Sequence, residues 1–147
     1  MNEDRNTKQV IVFRRDLMKG EHSLRKGKIA AQVAHASLGA LLKWAKRYTI
    51  EKPNERNENY IDFGFLDDSI LDNWLNGIFT KICVMVENEE ELLKLYDKIK
   101  EDGLIPVALI TDAGNTEFHG VHTNTCIGIG PWWSDEIDEY TKDLPLF

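Results

Sequence analysis

The chain of 147 residues is poor in cysteine and lacks the spacings that announce several common chemistries. Its two cysteines, Cys83 and Cys126, each lie within an apolar, strand-like run, which reads as buried free thiols in a reducing compartment rather than a disulfide framework. No Cys/His spacing matches a zinc site, so no metal and no cofactor are expected. No Gly-x-Ser-x-Gly elbow and no Walker A loop is present. Gly128-Ile129-Gly130 lacks the helix-opening context of a dinucleotide fingerprint. No apolar run approaches the length of a membrane span, which argues against a membrane partner. The polar, mixed-charge start from Met1 to Lys8 argues against a secretory signal, and the expected location is cytoplasmic.

What is present is an ordinary globular composition, 42% apolar and 29% charged, in a chain long enough for one domain with its own core. The net charge is −7, but it is unevenly spread. Residues 1–50 hold 11 Lys/Arg against 4 Asp/Glu, a balance of +7, and residues 51–147 hold 7 against 21, a balance of −14. Such a split predicts a basic surface on an acidic body, able to hold phosphates despite the overall sign. Incidental solvated charge would give the same count.

Gln9 to Phe13 is a short apolar run, as in a central strand covered on both faces. After a polar loop, a helix is expected over 28–47, with Ile29, Val33, Ala34, Ala40, Leu41, Trp44 and Ala45 on its apolar face. Residues 49–69, rich in Asn and charge, read as a surface insertion, with Tyr60, Ile61, Phe63, Phe65 and Leu66 packing its second half on the body. A short helix over 69–76 stops at Gly77. Then come a strand over 80–86, a helix over 89–102 capped by Asn88, and a strand over 106–110. These make a βαβ unit with parallel strands. A last strand over 124–129 follows too closely for a helical crossover and is expected antiparallel; Ser134 caps a final helix.

Two regions carry polar residues where an α/β fold builds sites. On the first helix, Lys28, Gln32, His35 and Gly39 fall within about 60° of arc. A cation near free helix amides suits an anion, although the solvent face of any amphipathic helix is polar too. Asp112 ends the third strand, and sites in open α/β sheets form outside the carboxyl ends of strands. An Asp there also commonly closes an Asx turn. Thr116, Thr123 and Thr125 add hydroxyls, and Gly120, Gly128 and Gly130 would let backbone approach a ligand. If the first and third strands are adjacent and parallel, Lys28 and Asp112 emerge at one sheet edge.

The ordered set of motifs resembles the archaeal and eukaryotic type of peptidyl-tRNA hydrolase. It comprises Arg14-x-Asp16-Leu17, Gly27-Lys28-x-Ala30-Ala31-Gln32-x-x-His35-Ala36 and Trp74-Leu75-x-x-Gly77. It continues through the Glu-rich helix, Asp112-Ala113-Gly114-x-Thr116 and Thr125-Cys126-Ile127-Gly128-Ile129-Gly130-Pro131. The resemblance runs through nearly the whole chain. It implies a single domain over 1–147: a three-layer α/β/α sandwich around a mixed four-stranded sheet, its last strand antiparallel. It also implies a metal-independent esterase that releases free tRNA from peptidyl-tRNA. By motif position, the family's functional residues fall on Lys28, Asp112, Thr116 and Thr125, with Gln32 and His35 at further motif positions. Three stretches depart from the pattern: the loop between Asp16 and Gly27 is longer, residues 50–69 are expanded, and His119-Gly120-Val121-His122-Thr123 replaces the usual Pro-Pro-Gly-Thr.

On this reading Asp112 orients or activates water, Lys28 stabilises negative charge, and Thr116 or Thr125 holds the water or ester. Gln32, His35, Gly114, Arg14 and Arg15 bind substrate, the arginines through tRNA phosphates. The partner is peptidyl-tRNA, and a homodimer is compatible with the sequence. Two other classes fit the same residues: a non-catalytic RNA- or protein-binding module, and a hydrolase of another acyl substrate. Release of tRNA from a defined peptidyl-tRNA separates the three.

Overall fold

A computed structural model describes residues 5–20, 23–115 and 117–147. Its centre is a four-stranded sheet built from β1 (Thr7–Arg14), β4 (Lys81–Val86), β5 (Val107–Asp112) and β6 (Thr123–Trp133), in the order β4-β1-β6-β5. β1 and β4 are parallel, while β6 runs antiparallel to both β1 and β5. β1, β4 and β5 therefore point the same way, and their carboxyl ends share one edge of the sheet with the start of β6.

Alternation along the central strands makes two cores, which is why these strands read as continuous apolar runs. Ile11, Phe13 and Cys126 face one side, where they meet Ala36 of the helix α1 (Lys26–Leu42). Val10, Val12, Ile127 and Ile129 face the other and meet Leu92 and Ile99 of α3 (Glu89–Asp102) and Ile137 of α4 (Ser134–Thr141). The result is the three-layer α/β/α arrangement. The short helix α2 (Ile70–Leu75) buries Leu71 and Trp74, and its Asn73 side chain accepts a 2.7 Å hydrogen bond from Thr7.

Local signals behave as the residues dictate. Asn88 caps α3 by accepting from the Glu91 N–H at 3.0 Å, three Glu occupy its first turn, and Gly103 ends it at φ 70°. Ser69 caps α2 in the same way. Ser134 does not cap α4; it is already helical, and Trp133 before it makes no side-chain cap.

Several expectations are corrected. The first helix ends at Leu42, not 47, and Lys46 and Arg47 begin a strand. That strand, β2 (Lys46–Ile50), pairs antiparallel with β3 (Glu58–Asp62) in a separate two-stranded sheet. The surface insertion is thus largely a hairpin, held by the stacked rings of Tyr48 and Tyr60 with centroids 5.1 Å apart. Ile61 and Leu66 are largely exposed, Tyr60 and Phe65 remain 39% and 36% exposed, and Phe63 alone of the five is half-buried, so the expected packing of this half is weak. β4 and β5 are parallel in direction but lie at opposite edges, because β1 and β6 fill the space that the α3 crossover spans. β6 runs on through Pro131 to Trp133, since the register with β1 shifts between Lys8 and Val10, and a bulge is where a strand tolerates proline.

Candidate active site

The face of α1 that meets the sheet is only partly the one its apolar residues outline: Ile29 and Val33 pack beside Ile11 and Phe13 as expected. Gln32, Ala36 and Ala40 are buried, whereas Ala34 is exposed and Leu41 and Trp44 only half-buried. Gly128 explains the rotation. A Cβ there would lie 2.2 Å from the Ala36 carbonyl oxygen and 3.0 Å from the Ala40 Cβ, so glycine is what admits the helix. Gly128 brings backbone to the helix, not to a ligand. The close approach turns Lys28 and Gln32 toward the carboxyl edge of the sheet.

At that edge the Lys28 ammonium donates to Asp112 Oδ1 at 2.7 Å, and the two side chains are only 14% and 11% exposed. Gln32 Nε2 donates to the same oxygen at 3.1 Å. Asp112 Oδ2 accepts from the Gly114 N–H at 2.8 Å. Asp112 therefore closes an Asx turn and pairs with Lys28 at once. Behind Gln32, the fully buried Thr125 donates from Oγ1 to Gln32 Oε1 at 2.6 Å. Lys28, Gln32, Asp112 and Thr125 thus form one continuous chain of hydrogen bonds.

Strand order differs from the expectation that placed these groups. β1 and β5 are parallel but not adjacent, because β6 lies between them. The groups still converge, since β6 begins at this edge and supplies Thr125.

The electrostatics of Asp112 follow from its neighbours. Burial alone raises its pKa, but the Lys28 hydrogen bond, the Gly114 N–H, the Lys28 charge and the Gln32 amide outweigh it, and the net shift is downward. The group is a carboxylate at neutral pH and a weak proton acceptor. Cys126, next to Thr125, is no nucleophile: burial pushes its thiol up to about 12, and its Sγ donates to the Gln32 carbonyl at 3.4 Å.

The remaining expected site residues separate. His35 is exposed and lines a groove beside Asp112. Gly114 is buried at φ 80°, and a Cβ on it would lie 2.6 Å from the Val121 carbonyl, so it acts by shaping the loop and holding Asp112. The Arg14 guanidinium is committed to the protein. It donates to both oxygens of Asp16, at 3.1 and 2.8 Å, to Glu89 at 3.1 Å and to the Asn124 carbonyl at 2.9 Å. Arg15 stays exposed, 3.3 Å from Glu87. Thr116 lies outside the described residues. Phe118, which the sequence reading passed over, sets its ring 5.9 Å from Lys28 Nζ; a lone aromatic in a polar loop was the available signal. Among the described residues no group of three or more His, Cys, Asp or Glu could hold a metal ion.

A family model described as peptidyl-tRNA hydrolase PTH2 matches residues 7–147. The chain belongs to that family. It is 42% identical to a peptidyl-tRNA hydrolase of Methanopyrus kandleri over 139 residues, covering 95% of this chain and 97% of that one. It is 38% identical to the protein of that name from Metallosphaera sedula, over 95% and 98% of the two chains. The Sulfolobus acidocaldarius protein of the same name is 37% identical over 95% and 98%. The PTH2 match includes every member of the hydrogen-bonded chain described above. No helix among the described residues is long and apolar enough to cross a membrane.

Proposed function

We propose that the protein hydrolyses the ester joining peptide to tRNA in peptidyl-tRNA, with Lys28 and Asp112 at the centre of the reaction. The observation that carries this is the Lys28–Asp112 pair at 2.7 Å, set at the carboxyl edge of the sheet in a chain of the PTH2 family. Water adds to the ester carbonyl carbon, and the carbon–oxygen bond to the ribose then breaks. The ribose leaves as the hydroxyl, and the peptide leaves as a carboxylate with release of one proton.

The depressed pKa of Asp112 gives it a defined part. It holds the Lys28 ammonium in place and accepts a hydrogen bond from the attacking water, orienting it rather than storing its proton. Lys28 stabilises the oxyanion that forms on the carbonyl oxygen, which is the largest single contribution in such chemistry. Gln32 and Thr125 are positioning residues. Thr125 fixes the Gln32 amide, and Gln32 fixes one oxygen of Asp112. No Ser–His or Cys–His dyad is needed, so cleavage is direct.

Arg15, Lys19, Arg25 and Lys26 are exposed around the start of α1 and meet tRNA phosphates. Arg14 serves this surface by fixing its backbone. The two free thiols suit the cytoplasm, where peptidyl-tRNA arises. The test is release of free tRNA from N-acetylaminoacyl-tRNA under single-turnover conditions; absence of release over the spontaneous rate rejects the reading.

A further inference from the structure

The reaction centre opens at one side into a groove of about 570 Å³ between α1 and β5. Its walls are His35, Leu38 and Leu42 on the helix and Leu109 and Ile110 on the strand, and it ends at Asp112. Leu38 is 56% exposed at its rim, a large apolar side chain with nothing covering it.

β5 is an edge strand, paired only with β6. The Gly130 N–H donates to the Pro106 carbonyl at 2.8 Å. Antiparallel pairing alternates, so Ala108 and Ile110 bond to β6, and the N–H and C=O of Leu109 point to the open side.

We propose that this groove is the subsite for the peptide of the substrate, which adds to β5 as an extra strand. The inference rests on the hydrolase reading above. With the ester at Asp112, the peptide must leave the centre from its carboxyl end. Seated in the groove it runs parallel to β5, with its amino end toward Val107. From Asp112 to Leu109 is about 10 Å at roughly 3.3 Å per residue, room for about three residues.

The chemistry suits such a substrate. Peptides of every sequence share only their backbone, and strand addition recognises backbone amides through hydrogen bonds while side chains find shallow apolar contacts. Edge strands usually carry charge or proline to prevent such pairing, and Val107-Ala108-Leu109-Ile110 carries neither.

The test compares wild-type kcat/KM on N-acetyl-alanyl-tRNA, on N-acetyl-tetraalanyl-tRNA, and on the latter with alternate peptide nitrogens methylated in either phase. The longer peptide should raise kcat/KM at least about fivefold, the effect of one net hydrogen bond. One of the two methylation phases should abolish that gain, because only alternate amides face an adjacent strand. Leu38→Asp should reduce the gain. Leu104→Asp, at a leucine equally exposed but outside the groove, should keep it. A gain below about fivefold, or one untouched by both methylation phases, overturns the proposal. A gain that fades as enzyme concentration rises puts a second copy in the groove and also overturns it. Turnover of neither substrate rejects the hydrolase reading itself, a result distinct from equal turnover of both.

Discussion

Lys28 and Asp112 stand 84 positions apart in sequence and meet at 2.7 Å, mostly buried, across the layer between α1 and β5. Lys28 is held by the close seat of α1 on Gly128, a contact across the fold, and Asp112 by its local turn with Gly114. Asp112→Asn keeps the shape and removes the charge; Lys28→Met keeps the stem and removes the cation. Each should lower single-turnover release by at least about 10². The double variant should lose little more than the worse single one, since the two act as a unit. Near-normal turnover in both single variants would remove the pair from the reaction.

The pH response follows from the downward shift of Asp112. A carboxylate with a folded pKa below its unfolded value stabilises the fold above the unfolded pKa, and that stabilisation is lost as pH falls through the folded one. The Tm difference between wild type and Asp112→Asn should therefore hold from neutral pH down to about 4 and shrink below it. The rate should show no acid limb near neutrality that belongs to Asp112. An acid limb between about pH 6 and 7 that vanishes in Asp112→Asn would mean the group acts as a raised-pKa base.

Thr125 has its hydroxyl spent on Gln32 at 2.6 Å in a fully buried setting. Thr125→Val leaves Gln32 Oε1 without its donor, which should cost about 1–3 kcal/mol in denaturant unfolding and slow the reaction through a looser Asp112. Thr125→Ser restores the donor and should recover most of both. Equal loss in the Ser and Val variants would show that the methyl group, and not the hydroxyl, matters.

The sequence placed Lys28 and Asp112 in their elements better than it placed the packing between elements. Asp112 at a strand end and Lys28 at a helix start were legible because strand ends and helix starts have local signals. The orientation of α1 was only partly legible: Ile29, Val33 and Ala40 mark the packed face, but Gly128 on a distant strand also draws in Gln32 and Ala36, whose side chains do not look like a core face. The hairpin was missed because its strands are exposed on both faces and have no alternation to read. Arg14 looked like a phosphate ligand, since nothing local announces that Glu89 and the Asn124 carbonyl would meet it.

That hairpin yields its own prediction. Lys46 pairs directly with Asp62, so the chain enters and leaves it at neighbouring points. Replacing residues 47–61 with Asn-Gly, the turn that joins such a pair, should leave thermal unfolding cooperative and Tm nearly unchanged. A broad or non-cooperative transition would show that the hairpin holds up the body.

Arg14 and Arg15 are neighbours with opposite exposures, and they should fail differently. The exposed Arg15, 45% accessible in its side chain, holds only a surface ion pair with Glu87 that phosphate can displace, while Arg14 is 11% accessible and engaged on three sides. Affinity for tRNA should fall steeply with salt through counterion release, and Arg15→Gln should weaken it for all tRNAs alike. The same change should reduce the slope of log affinity against log salt by about 1, with Tm unchanged. Arg14→Gln should instead cost about 1–3 kcal/mol of stability, because Asp16, Glu89 and the Asn124 carbonyl lose their shared donor. Its salt slope should stay near that of wild type. A flat salt response in the unaltered protein would count against the basic face. A slope that drops in Arg14→Gln with no loss of Tm would show that the buried guanidinium reaches phosphate after all.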